Sequence, residues 1–166
     1  MPTETTPLNL SRALKLKNRV AHRLSQLDTL ITTCNSAPED NQEYDVRALY
    51  RARLAVAAQL VQLKVAINAA NQPVQGLIFE LAEYKSLVGT LNKVNTRHGA
   101  VVEGYAGTRV NYVAQFRKPD VDREVRRVEQ EIDRIQDELD RFNHKTMLAV
   151  DKALLADGEP GPDAIA

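Results

Sequence analysis

The sequence predicts an all-α protein in which long antiparallel helices form a coiled-coil-like bundle, with a small β-hairpin or extended flap before the last long helix. Three observations predict it. Apolar residues recur at steps of three and four along separate stretches, the spacing of helices that pack lengthwise. Aromatic residues are 5% of the chain and tryptophan is absent, so the core must be built from Leu, Val, Ile and Ala, the usual filling of helix seams. At 166 residues, 43% of them hydrophobic, the chain can bury a core without disulfides or metals. We expect a single helical domain over about 9–155, a flexible N-terminus at 1–8 and a mobile C-terminal tail at 156–166.

The first helix is expected over about 9–34. Leu10, Ala13, Lys17, Val20, Leu24, Leu27, Ile31 and Cys34 alternate steps of 3 and 4, and only Lys17 breaks the apolar pattern. Asn9 or Ser11 can cap it, and Asn35-Ser36-Ala37-Pro38 ends it. An acidic loop follows to about Glu43. The second helix, about 44–71, has the same spacing through Val46, Leu49, Arg53, Val56, Leu60, Leu63, Ile67 and Ala70. Its other positions include Leu54, Val61, Val65 and many alanines, so it lacks a wet face, and such a helix is buried. Pro73 and Gly76 predict a tight connection or kink near Asn71–Gly76. A third helix, about 74–97, runs through Leu77, Leu81, Tyr84, Val88 and Leu91.

Gly99, Gly104 and Gly107 then punctuate the flap, about 100–117, and Arg109–Phe116 alternates with Val110, Tyr112, Ala114 and Phe116 on one side. The last helix is expected over about 119–155, with Pro119 in its first turn and Asp120 near its cap. Val121, Val125, Val128, Ile132, Ile135, Leu139 and Phe142 form its narrow seam, and charged residues fill its other faces. Asp122–Arg126 and Asp137–Arg141 are spaced for ion pairs along it.

Helices two and four contrast sharply. The fourth needs one neighbour. The second must be covered on its far side, either by the flap or by another copy of the chain. We expect a homodimer or higher assembly, with Val56, Leu60, Val61 and Val65 as its interface.

Chemistry is sparse. Lysine plus arginine and aspartate plus glutamate each number 22, and this balance argues against a surface tuned wholly for nucleic acid or acidic membranes. The basic runs Arg12, Lys15, Lys17, Arg19, Arg23 and Arg117, Lys118, Arg123, Arg126, Arg127 lack interleaved aromatics for base stacking, so nucleic acid is not an expected partner. Cys34 is the single cysteine and reads as a small buried hydrophobe closing the first seam. His22, His98 and His144 stand apart without a His-Glu-x-x-His or Glu-x-x-His spacing, and Asp140 with His144 offers only two ligands. Gly104-Tyr105-Ala106-Gly107 opens no helix and has no phosphate-binding lysine. No cofactor or metal is therefore expected, and no catalytic motif stands out. Met1-Pro2-Thr3-Glu4-Thr5 lacks the start of a signal peptide, and Leu54–Phe79 is too polar for a membrane span, so a cytoplasmic protein without membrane contact is expected.

The stretch Asp133-Arg134-Ile135-Gln136-Asp137-Glu138-Leu139-Asp140-Arg141-Phe142-Asn143-His144-Lys145-Thr146 resembles the C-terminal signature of a bacterial family labelled septicolysin-like. Leu10–Lys17 and Ile67–Asn71 are similar to corresponding regions of that family, and the likeness spans about residues 8–150. The resemblance implies a helical, coiled-coil-like fold. Its label implies a cytolysin, but the sequence shows neither an export signal nor a membrane-inserting element. Gln136 and Asn143 match the signature and are expected as a buried polar pair fixing helix register. The leading expectation is thus a structural or interaction protein that presents a surface to another macromolecule. The alternative is a small-molecule or enzymatic site between helices and flap, lined by His98, Tyr105, Arg109 and Tyr112.

Overall fold

The structure, a computed structural model, describes residues 4–39, 42–103, 107–152 and 155. It is mostly helical, with four α-helices and two small antiparallel sheets among the described residues. In chain order these are β1 (Thr5–Asn9), α1 (Leu10–Cys34), α2 (Val46–Asn71), α3 (Gln75–Leu91), β2 (Gly99–Glu103), β3 (Thr108–Tyr112), α4 (Lys118–Lys145) and β4 (Met147–Asp151). A 3-10 turn at Gln72–Val74 links α2 to α3, where Pro73 interrupts the regular ladder. The chain divides into two compact units, Met1–Pro73 with Arg141–Ala166, and Val74–Asp140.

In the first unit α1 and α2 form an antiparallel hairpin. Asn9 starts α1 by accepting the Arg12 N–H at 2.9 Å. Asp45 starts α2 by accepting from Arg47 and Ala48. The core joins Leu10, Ala13, Leu16, Val20 and Leu27 of α1 to Leu49, Val56, Leu60, Leu63 and Ile67 of α2. Leu16, not Lys17, fills the third position of the α1 seam. The break expected at Lys17 disappears once the stripe steps 3, 3, 4 from Leu10 to Val20. Arg53, on the same side of α2, is half-buried and donates to Asp28 of α1 at 2.9 Å. That bond raises the Arg53 pKa above its usual value, and it fixes which turn of α1 meets which turn of α2.

The chain ends depart most from expectation. The last helix stops at Lys145 instead of running to 155, and residues 147–151 form β4. Residues 5–8, expected to be flexible, form most of β1 and pair with it. The register is Thr5↔Asp151 through Asn9↔Met147. Leu10 N donates to Thr146 O and Lys152 N to Glu4 O, so even-numbered residues of the first segment carry the cross-strand bonds. Pro7 falls between them, where a missing N–H costs nothing. Leu148 and Val150 turn inward onto the α1–α2 core. The tail at 156–166 lies outside the described residues.

In the second unit, α3 packs against α4 through Tyr84, Val88 and Leu91 on one side and Val121, Val125, Val128 and Ile132 on the other. The helices are antiparallel, since Glu80 acts on Arg134 while Tyr84 feels Glu131 and Arg127. α3 ends at Leu91 rather than near 97. The outer faces of α4 carry ion pairs one turn apart, including Asp120–Arg123, Glu124–Arg127 and Glu131–Arg134. Asp122 pairs back to Lys118. Gln136 is exposed and so cannot be half of a buried polar pair.

Full burial of a leucine is worth about 1.5–3 kcal/mol, and truncation adds a cavity cost. Leu63→Ala, at the centre of the α1–α2 seam, is expected to lower unfolding free energy in urea by about 2–5 kcal/mol. Gln136→Ala is expected to stay within about 0.5 kcal/mol.

Candidate functional site

Two places bring together what the sequence singled out. One is the hairpin of β2 and β3. Its register, Gly99↔Tyr112 through Glu103↔Thr108, puts Val101, Glu103, Val110 and Tyr112 on one face and Val102, Arg109 and Asn111 on the other. Arg109 and Tyr112 therefore point to opposite sides and cannot line one pocket. Tyr105 lies outside the described residues. His98 uses Nδ1 to accept the backbone N–H of Ala114 at 3.2 Å, which leaves the ring proton on Nε2. The expected pocket of His98, Tyr105, Arg109 and Tyr112 is not assembled by the described residues.

What the hairpin assembles instead is a clasp. Glu103 Oε1 accepts from Arg97 Nη1 at 2.8 Å and from the Tyr112 hydroxyl at 2.7 Å. The Arg97 guanidinium sits 5.9 Å from the centre of the Tyr112 ring, within cation–π range. The hydrogen bond to Glu103 raises the Tyr112 pKa; burial and the Glu103 charge add to this, and Arg97 opposes it. A phenol held protonated and a carboxylate already accepting two bonds are poor bases and nucleophiles. The arrangement ties the hairpin to the segment before it. Arg97 was missed in the sequence because its partner lies six residues on, around a turn that periodicity does not register.

The second place is the outer side of α2, within the first unit. Val56 and Leu60, expected at an interface between chains, are buried in the chain's own core. They belong to the α1 seam. Tyr50, Leu54, Val61 and Val65 lie elsewhere on the helix and are 54%, 48%, 60% and 64% exposed. Ala58 and Ala69 are exposed with them. The far side of α2 is thus apolar and open, where full burial was expected from its composition. Isolated exposed apolar side chains are ordinary; on α2 four large ones stand exposed, with Arg47, Arg51, Gln62, Lys64 and Asn68 exposed among them.

Other candidates shrink on inspection. Cys34 is half-exposed at the end of α1, beside Thr33 Oγ1, and not a buried core residue. Among the described residues no group of three or more His, Cys, Asp or Glu could hold a metal ion. A cavity of about 170 Å³ lies between Gln62, Leu63 and Ala66 of α2 and Thr5, Ala149, Val150 and Asp151 of the strands. Ligand pockets are usually about 300–1,000 Å³, so it is too small for a metabolite of ordinary size. No family model, curated protein or solved structure matches the chain.

A raised Tyr112 pKa means the clasp contributes stability below the ordinary phenol value of about 10 and loses it as pH climbs through the folded value. In an ultraviolet alkaline titration, Glu103→Gln is expected to shift one of the five tyrosines to earlier ionisation. An unchanged titration curve would remove the clasp.

Proposed function

We propose that this chain is a structural or interaction protein, a cytoplasmic helical homo-oligomer that presents a binding surface to another macromolecule. The observation that carries the proposal is the open apolar side of α2, where Val61 and Val65 stand exposed away from the α1 seam. Water contact with that stripe is costly. Covering it with a second chain recovers the loss on both copies. In the assembly, the helices form the coiled-coil-like bundle that their three-and-four spacing calls for. Membership of the septicolysin-like family is part of the same proposal and rests on the Asp133–Thr146 resemblance.

The charged outer faces of α4 and the polar hairpin are where a macromolecular partner would dock. They are wet and patterned with both signs of charge. An enzymatic or small-molecule role has less support, because Arg109 and Tyr112 diverge and the Glu103 carboxylate is occupied. A lytic role also has less support. Among the described residues no helix is long and apolar enough to cross a membrane.

Light scattering of the purified protein at tens of micromolar is expected to give a mass of at least two chains. The double variant Val61→Lys, Val65→Lys is expected to give one chain's mass with unchanged helicity by circular dichroism. A monomeric parent protein would end the proposal. Liposomes loaded with a self-quenched dye are expected to stay sealed in its presence.

A further inference from the structure

We infer that the bond between the His98 ring and the Ala114 backbone is a pH-sensitive latch. It holds the segment leading into α4 against the base of the β2–β3 hairpin while the imidazole is neutral, and releases that segment when the ring takes up a proton. The latch begins where the ladder stops. Gly99↔Tyr112 is the pair at the open end of the hairpin, and Ala114 lies beyond it. Its N–H is outside the ladder and donates to His98 Nδ1 at 3.2 Å. The backbone before β2 is shaped for this contact. Gly99 has a φ of 90°, a left-handed conformation suited to glycine, so the chain turns sharply between the imidazole and the strand. Asn95 Oδ1 accepts the Arg97 N–H at 3.1 Å and orders the approach to that turn.

Protonation removes what the latch needs. A neutral imidazole offers one acceptor nitrogen, whereas the imidazolium has two donors and none. With Nδ1 protonated, two N–H groups point at each other and attraction becomes repulsion. The charged and titratable groups of the two segments that meet at the ring are Arg97 and Glu103 on its own side, and Arg109, Tyr112, Arg117 and Lys118 on the facing one. Arg97 and Tyr112 both donate to Glu103, and Lys118 pairs with Asp122. Among the described residues no carboxylate is bonded to the His98 ring, so no anion takes over the contact that Ala114 loses. Phenols and carboxylates keep their charge over the range in which imidazoles change theirs. The Glu103 clasp therefore stays closed while the latch opens. Acid frees the segment that carries the exposed Val113 and Phe116 without parting the strands.

Nitrogen–proton spectra of the whole chain, recorded from about pH 8 to about pH 5, test the latch. The Ala114 amide signal is expected to move with the same midpoint as the His98 Cε1–H. Its exchange with solvent, corrected for the intrinsic rate, is expected to rise about fivefold at the acid end. The Tyr112 amide is expected to keep its protection throughout. His98→Asn sets a non-titrating oxygen near the place of Nδ1 and is expected to abolish the pH dependence at Ala114, with unchanged helicity by circular dichroism. An Ala114 amide indifferent to the His98 titration would overturn the inference. So would a ring that takes up no proton over this range, or an acid response that persists in His98→Asn.

Discussion

The α1–α2 seam occupies Val56, Leu60, Leu63 and Ile67 of α2, and among the described residues Leu54, Val61 and Val65 on that helix's other side stay exposed. A helix of 26 residues with four cations, no acids and a run of alanines is a poor surface helix. The α1 hairpin satisfies half of it. The remaining half exposes valine and leucine to water. That imbalance contrasts with α4, whose single stripe is covered by α3 and whose remaining faces carry ion pairs.

A second constraint acts at the ends of the chain. β1 and β4 bring residues from opposite ends of the sequence into one ladder, which Lys152–Glu4 extends on one side and Leu10–Thr146 on the other. Leu8, Leu148 and Val150 join the core of the helical hairpin, so the ladder covers one end of the seam. A two-stranded sheet alone is marginal in water, and packing against helices is what makes it stable. The ladder and the seam therefore depend on each other.

These two features differ in how far the sequence reveals them. The seams of α1, α2 and α4 are periodic within themselves, so Leu49, Leu63, Val128 and Ile135 are recognisable as core without knowledge of their partners. Strict alternation of three and four places Lys17 in the α1 stripe, whereas two steps of three carry it through Leu16. Met147–Asp151 is short, follows a long helix and contains Leu and Ala, so its local pattern suits a helix as well as a strand. Only its pairing with a segment at the far end of the chain makes it a strand, and no local pattern carries that information. The open side of α2 was visible as composition, but composition did not say which residues face α1. Val56 and Leu60 were therefore grouped with Val61 and Val65, from which they are turned away. The hairpin was legible from its glycines and alternation. Its clasp was not, because Arg97 lies before the first strand.

The clasp also bears on what kind of protein this is. A catalytic site keeps its titratable groups incompletely satisfied, ready to exchange protons or bonds with a substrate. At this hairpin the Glu103 carboxylate accepts two donors through one oxygen, the Tyr112 proton is committed to it, and His98 holds a backbone N–H. Such groups hold a shape. The clasp thus joins the segment before β2 to both strands of the hairpin through a single carboxylate.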